Sequence, residues 1–318
     1  MRNPSVGAES LPLLAVNQRL NWDVAERAGV ELWLRRDDAI DPELSGNKLY
    51  KLFGHLRHYQ CVHLPSLSES EKRACPMVSF GGAFSNHLHA LACAGQRLGI
   101  ATVGIIRGQR PAKPSATLVD LEAKGMRLYF ISRSDYRLRH DQAFVTQLLH
   151  DLNLASFSFV VPEGGAGELG LLGLQALGRH LATEHWHGLV CACGTGTTMQ
   201  GLAQGLASAG AKHCSVLGVS ALAAGDSVCS VLRPAMQQYG ISWGLSNQFH
   251  DGGFARVSKD LSSFKQAFEA QCGVELDRVY TLKMFSALRA WLHRGMFHQG
   301  QRVLAIHSGG LQGNRGLV

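Results

Sequence analysis

A lysine at the mouth of an apolar helical pattern is the first residue equipped for chemistry. In DPELSGNKLYKLFGHL, residues 41–56, the loop formers Asp41, Pro42, Ser45 and Gly46 precede Lys48, and Leu49, Leu52, Phe53 and Leu56 recur at helical spacing. Lys48 therefore stands at a helix start. There the positive end of the helix dipole, together with Lys51 one turn on, favours a neutral amine over the ammonium. A neutral amine is a nucleophile for carbonyl carbon. A solvated surface lysine is the plain alternative, and position alone does not displace it.

Small-residue turns at strand ends supply the second kind of chemistry. Cys193-Gly194-Thr195-Gly196-Thr197-Thr198 joins the strand-like GLVCAC to the helical TMQGLAQGL. Its glycines admit an anion close to the backbone, the helix start offers free N–H groups, and the threonines add hydroxyl donors, so the stretch reads as a phosphate cradle. It lacks GK[ST], and Met199 stands where a dinucleotide loop has its third glycine. A tight turn without ligand is the other reading. Ser79-Phe80-Gly81-Gly82-Ala83-Phe84-Ser85-Asn86-His87 places three polar groups at a second helix start. Ser85 or Asn86 can cap that helix, or the hydroxyl and free N–H groups can capture a carboxylate. Further turns are 162–167 (PEGGAG), 250–253 (HDGG) and 307–310 (HSGG).

Other chemistries find less support. No GxSxG elbow is present. HLRH, HLH and HWH have metal-like spacing but no acidic or cysteine ligands beside them, so no metal is expected. The eight cysteines form no CxxC pair and read as reduced core thiols. The net charge of +7 comes from dispersed Lys and Arg without interleaved aromatics, which suits a small anionic ligand or phosphorylated cofactor and not a nucleic acid. No apolar run reaches membrane length, and MRNPSVGAESLPLL lacks the layout of a secretory signal. No membrane partner and a cytoplasmic location are the expectations.

These residues must be positioned by the surrounding elements. Strand-like runs at 31–38, 77–82, 101–108, 127–132, 158–167, 188–193, 215–222 and 302–310 alternate with helical patterns, among them 117–125 and 281–295. Such alternation, with strands apolar on both faces, predicts an α/β protein with parallel open twisted sheets flanked by helices. At 318 residues the chain is long enough for two lobes with a site between them.

Taken together, LWLRRDD…SGNKLYKL, VSFGGAFSNHLHALA, PEGGAGELGLLG, CGTGTTMQGL, LDRVYTLKM and IHSGG resemble, in order, the motifs of the fold-type II pyridoxal-phosphate enzymes. Within that class the chain is most similar to the family containing 1-aminocyclopropane-1-carboxylate deaminase and D-cysteine desulfhydrase. The likeness covers about residues 31–310. It implies a two-lobed, tryptophan synthase beta-like fold, with a large lobe from 1–49 and 163–318, a smaller inserted lobe at 50–162, and a homodimer. It implies that Lys48 bonds to the aldehyde of pyridoxal 5'-phosphate, and that a small amino-acid substrate displaces it through its own amine. Gly194, Thr195, Gly196, Thr197 and Thr198 would then hold the phosphate, with Lys51 as an added charge. Asn86 would bond the ring hydroxyl, and Ser308 would face the ring nitrogen. Ser85, Asn86, His87 and Tyr280 would meet the substrate, and Ser85 and Tyr280 would join Lys48 in catalysis.

Two positions bear on the substrate. Deaminases of the cyclopropane amino acid resemble one another in carrying Glu after the active-site tyrosine and Leu in the last His-x-Gly-Gly turn. This chain has Thr281 and Ser308, which is similar to the desulfhydrase pattern. A hydroxyl at Ser308 leaves a pyridine nitrogen unprotonated more readily than a carboxylate would, and the weaker electron sink suits loss of a thiolate. D-Cysteine desulfhydration is therefore expected, with cyclopropane ring opening or another D-amino-acid elimination as the alternative, and a non-catalytic cofactor carrier as a different class. Three departures mark the pocket: Leu282 before Lys283, the loose match of HDGGFARVS, and the polar ending GGLQGNRGLV.

Overall fold

Runs that are apolar on both faces need helices over both sides of their sheet, and MVSFG, TVGIIR, GLVCAC and RVLAI are buried along nearly their whole length. The computed structural model describes residues 8–44, 46–223, 225–253 and 255–315. Ser45 and residues 316–318 of the polar ending, both singled out above, lie outside them.

Among the described residues the strands are β1 (Asn17–Arg19), β2 (Glu31–Arg35), β3 (Met77–Gly81), β4 (Thr102–Arg107) and β5 (Arg127–Ile131), then β6 (Phe159–Val161), β7 (Gly188–Cys193), β8 (Ser215–Ser220), β9 (Trp243–Ser246) and β10 (Arg302–Ile306). The α-helices are α1 (Asp23–Arg27), α2 (Asn47–His58), α3 (Glu69–Ala74), α4 (Asn86–Leu98), α5 (Ala116–Ala123) and α6 (Arg133–Arg137). They continue with α7 (Gln142–Asp151), α8 (Glu168–Leu181), α9 (Thr197–Ser208), α10 (Gly225–Tyr239), α11 (Lys259–Cys272) and α12 (Thr281–His293). None is long and apolar enough to cross a membrane.

Two sheets form. The larger has the order β1-β2-β10-β7-β8-β9 and the smaller β5-β4-β3-β6. Every pair is parallel, as expected, except β1 with β2, an antiparallel pair at one edge. β1 is the half-exposed tripeptide NQR, too short and polar to announce itself. Several strands are shorter than the apolar runs suggest. β2 stops at Arg35, where Asp37 begins a 3-10 turn, and β6 covers only Phe159–Val161 before the glycine turn.

Aromatic and aliphatic side chains cover both faces of the larger sheet. On one face Trp22, just before α1, packs with Phe268 of α11 and Phe285 of α12, Trp22 set edge-on to Phe268 at 5.2 Å between centroids. On the other, α8, α9 and α10 bring Leu174, Leu202 and Met236. Helix α8, absent from the sequence reading, is glycine-rich because its neighbours come close. A Cβ on Gly173 would lie 2.4 Å from the Tyr50 carbonyl oxygen, and one on Gly178 2.5 Å from that of Leu202.

Helix α2 serves both sheets. Leu49, Tyr50 and Phe53 pack in the core of the larger one, and Leu52 and Leu56 in that of the smaller. The residue at its second position, Lys48, is thereby carried between the two.

Candidate active site

Lys48 is held from three sides. The Gly46 N–H donates to the Asp37 carbonyl at 2.8 Å, and the Asn47 N–H donates to the Ser308 carbonyl at 3.3 Å. Gly46 has φ +68°, and a Cβ there would sit 1.8 Å from the Ser308 oxygen, so only glycine fits this junction. Behind it, Asp37 lies in a fully buried cluster, its carboxylate accepting from Arg35 Nε at 3.0 Å and from the Tyr50 hydroxyl at 3.0 Å. The Lys48 amine donates to Asn47 Oδ1 at 2.8 Å, and Asn47 Nδ2 donates to Thr198 Oγ1 at 2.9 Å. One asparagine thus joins the lysine to the glycine loop 151 residues away in sequence.

Burial lowers the Lys48 amine to about 8, with the Asp277 carboxylate opposing the shift. This corrects the physical reason given above. Desolvation, rather than Lys51, is the dominant cause, and the charge of Lys48 acts instead on Lys51. Lys51 is 4% exposed and makes no hydrogen bond or ion pair among the described residues. Burial, then the charge of Lys48, keeps its amine far below the ordinary lysine range. A cation buried without a counter-charge is costly, so this corner of the protein favours an anion.

The glycine loop lies between β7 and α9. Gly196, at φ +81°, is the residue before the helix, Thr195 and Thr197 share a hydrogen bond of 2.9 Å between hydroxyls, and Thr197 and Thr198 are buried. The first-turn N–H groups of a helix have no partner within it. The Tyr280 ring lies against this loop, since a Cβ on Gly194 would meet its Cε1 at 3.3 Å and its hydroxyl at 3.4 Å. The Lys48 amine is 6.0 Å from the same ring's centroid. Burial, then the carboxylates of Asp277 and Glu163, raises the Tyr280 hydroxyl, which therefore keeps its proton.

Asp277 escaped the sequence reading. It is 1% exposed and accepts from the N–H groups of Val279, Tyr280 and Thr281, at 3.0, 2.9 and 2.8 Å, and from the Thr281 hydroxyl at 2.7 Å. These bonds close the start of α12 and set the backbone of Tyr280. The available signal was an aspartate a few residues ahead of a helical pattern, in LDRVYTLKM. Asn47 was equally unforeseen as a bridge.

Ser85 is the N-cap of α4, its hydroxyl accepting from the Leu88 N–H at 3.2 Å, and it makes no hydrogen bond to Lys48 or Tyr280. Asn86 accepts at Oδ1 from Gln312 Nε2 at 2.9 Å, beside Gly310. His87 is 2% exposed, bonded through Nε2 to the Ser79 hydroxyl at 2.9 Å, with Nδ1 unpartnered. Burial first, then Lys48, His55 and Lys51, holds it well below the usual histidine range, so it is neutral. Gly165 packs between Lys51 and His87, and Gly164 against Thr195. Ser308 contributes its carbonyl to Asn47. Lys283 is fully buried and donates to the carbonyls of Ala221 and Gly253 at 3.1 and 2.5 Å, tying the 250–253 turn to the end of β8. The 162–167 and 307–310 turns therefore lie beside α2, against Lys51 and Asn47, while the 250–253 turn is held by Lys283.

No protein-family profile matches the chain. It is 27% identical over 316 residues to the mitochondrial bifunctional D-cysteine desulfhydrase/1-aminocyclopropane-1-carboxylate deaminase of Arabidopsis thaliana, covering 90% of this chain and 73% of that one. It is 23% identical over 304 residues to a D-cysteine desulfhydrase of Yersinia pestis, covering 90% and 88%. Over most of its length the chain is similar to proteins of the 1-aminocyclopropane-1-carboxylate deaminase/D-cysteine desulfhydrase family. That family is pyridoxal-phosphate-dependent. A crystal structure of an ACC deaminase homologue superposes with a TM-score of 0.76 at 23% identity, covering 94% of this chain and 90% of the other. The similarity to these enzymes and the shared fold thus span most of the molecule.

Proposed function

We propose that this chain is a pyridoxal-phosphate-dependent lyase of small amino acids, and that its substrate is D-cysteine, split to pyruvate, ammonia and sulfide. Lys51 carries the cofactor reading: a buried lysine without a counter-charge, one turn from a second lysine and beside a helix start rich in donors, fits a phosphate bound next to a reactive amine. The donor set fits a phosphorylated aldehyde in its other parts too.

When bound, pyridoxal phosphate supplies an electron sink for charge developing at the substrate α-carbon. The chain's own residues do the rest. The N–H groups of Gly194 to Thr198, the hydroxyls of Thr195, Thr197 and Thr198, and the Lys51 ammonium would bind the phosphate. Lys48, with its amine lowered to about 8, would hold the aldehyde end of the cofactor and would move a proton at the substrate α-carbon. Asn86 would offer an N–H to the ring oxygen. Ser85, whose oxygen already accepts from its own helix, has its O–H free to donate to the substrate carboxylate. Tyr280, kept protonated, orients the substrate and can donate.

Thr281 and Ser308 support elimination over ring opening. Thr281 is wholly buried and its hydroxyl is bonded to Asp277. A glutamate there would bring a second carboxylate against a buried one, which this site does not accommodate cheaply. Ser308 would face the ring nitrogen and, as a hydroxyl, would leave it unprotonated. The test is a side-by-side assay of purified protein with D-cysteine and with 1-aminocyclopropane-1-carboxylate. Sulfide from the first and no keto acid from the second is the expected result; the reverse pattern contradicts the substrate assignment.

A further inference from the structure

We propose that Gln312 is a positioning residue of this site, which fixes the Asn86 carboxamide so that its N–H, not its carbonyl, is presented to the cleft. The inference rests on the cofactor reading above and concerns the polar ending that departs from the resembled family.

A carboxamide has two ends of nearly the same shape, and half a turn about its last bond exchanges a donor for an acceptor. Ser85 fixes the backbone of Asn86 at the start of α4, but nothing in the cap determines which end of the side chain points where. Gln312 does so. Its Nε2 donates to Asn86 Oδ1 at 2.9 Å across 226 residues of sequence. With its oxygen so engaged, Asn86 keeps Nδ2 as a donor, and that group has no acceptor among the described residues. Gly310 lies directly beneath it, since a Cβ there would be 2.4 Å from Asn86 Nδ2. An oxygen of the cofactor ring needs a donor, and the carbonyl end of the amide would repel it.

Gln312 is not a loose surface glutamine. It is half-buried, in a 3-10 turn over Leu311–Asn314. Asn314 Nδ2 donates to Glu275 Oε1 at 2.8 Å and to the Leu276 carbonyl at 3.1 Å, and Asn314 Oδ1 accepts from the Arg278 N–H at 3.0 Å. Arg315 is paired with Asp120 of α5. The turn is thereby braced against the segment leading into Tyr280 and against the smaller sheet's helices. A braced turn can hold one amide to one orientation.

Two substitutions separate hydrogen-bond direction from packing. Gln312→Glu keeps the size and can still bond Asn86, but only as an acceptor, which turns the Asn86 carbonyl toward the cleft. Gln312→Met keeps the bulk and removes the bond. Apo protein is titrated with pyridoxal phosphate, following the absorption band of the bound cofactor, with apo-protein Tm as the folding control. The dissociation constant is expected to rise about tenfold in Gln312→Glu and about threefold in Gln312→Met, with a shifted band and an unchanged apo Tm. The inference is overturned if both variants keep the wild-type constant and band, if they weaken equally, or if the loss follows a fall in apo Tm. If wild-type protein takes up no pyridoxal phosphate at all, the cofactor reading fails, and this inference with it.

Discussion

Lys48 and Lys51 lie one helical turn apart in α2, and two amines so placed in a dry corner do not both hold protons without an anion near them. At pH 7 about a tenth of a group lowered to about 8 is neutral, against almost none of an ordinary lysine. Between about 8 and 10.5 the unfolded chain holds a proton on Lys48 that the folded chain has shed, so this group makes folding more favourable as pH rises through that window. Competitive acylation read by mass spectrometry should find the Lys48 amine titrating near pH 8; a midpoint near 10.5 contradicts the burial argument. An anion reverses the preference of Lys51. Inorganic phosphate at 100 times its dissociation constant should raise stability by about 2.7 kcal/mol, and Lys51→Ala should lose most of that gain. A gain that survives the substitution would place the anion elsewhere. Lys48 and Asn86 were legible because they stand in motifs. Asn47, Asp277 and Gln312 were not, because each acts through a partner that only the fold brings near: Thr198, the start of α12, and Asn86.

At the scale of elements, the site depends on how the end of β2 and the start of α2 are joined. Asp37 joins them through its carbonyl to Gly46 and its carboxylate to Arg35 and Tyr50. Burial raises that carboxyl to about 6 although Arg35 beside it pulls the other way. Asp37→Asn leaves Arg35 buried without its counter-charge and should cost about 3–5 kcal/mol in denaturant unfolding. A loss under about 1 kcal/mol would show that the pair is dispensable. Gly46→Ala must break the contact with Ser308 or strain the backbone, at about 1–3 kcal/mol, and should weaken cofactor binding along with stability. Cofactor affinity unchanged in that variant would separate the Ser308 turn from the site. The main strands were readable as apolar runs closed by glycine. Their ends were not, because Asp37 and Glu163 begin 3-10 turns within runs that still look extended. Helix α8 was hidden by glycines whose purpose is close packing against α2 and α9, and β9 by its half-buried edge position.

Across the whole molecule, α2 packs into the cores of both sheets, so Lys48 sits where they meet. The loop just before it is tied to the smaller sheet's helices from outside. Arg97 of α4 bonds Asp41 at 2.6 and 3.0 Å and Glu43 at 2.8 Å, and Lys124 pairs with Glu43. Asp41 is held at about 2, chiefly by Arg97, so its contribution is present above pH 3.8 and lost as pH falls through about 2. These groups are partly exposed, so Arg97→Ala should cost less than about 1 kcal/mol, and less still in high salt. A larger, salt-insensitive loss would mean that the clasp bears on the cores themselves. All of these elements converge on one amine, and the most direct measurement asks what it holds. Purified protein is incubated with pyridoxal phosphate, reduced with borohydride and digested, and the peptides are weighed. The cofactor's mass should appear on the peptide carrying Lys48 and be absent from Lys48→Ala. A label on another lysine, or none on the wild type, would contradict the account.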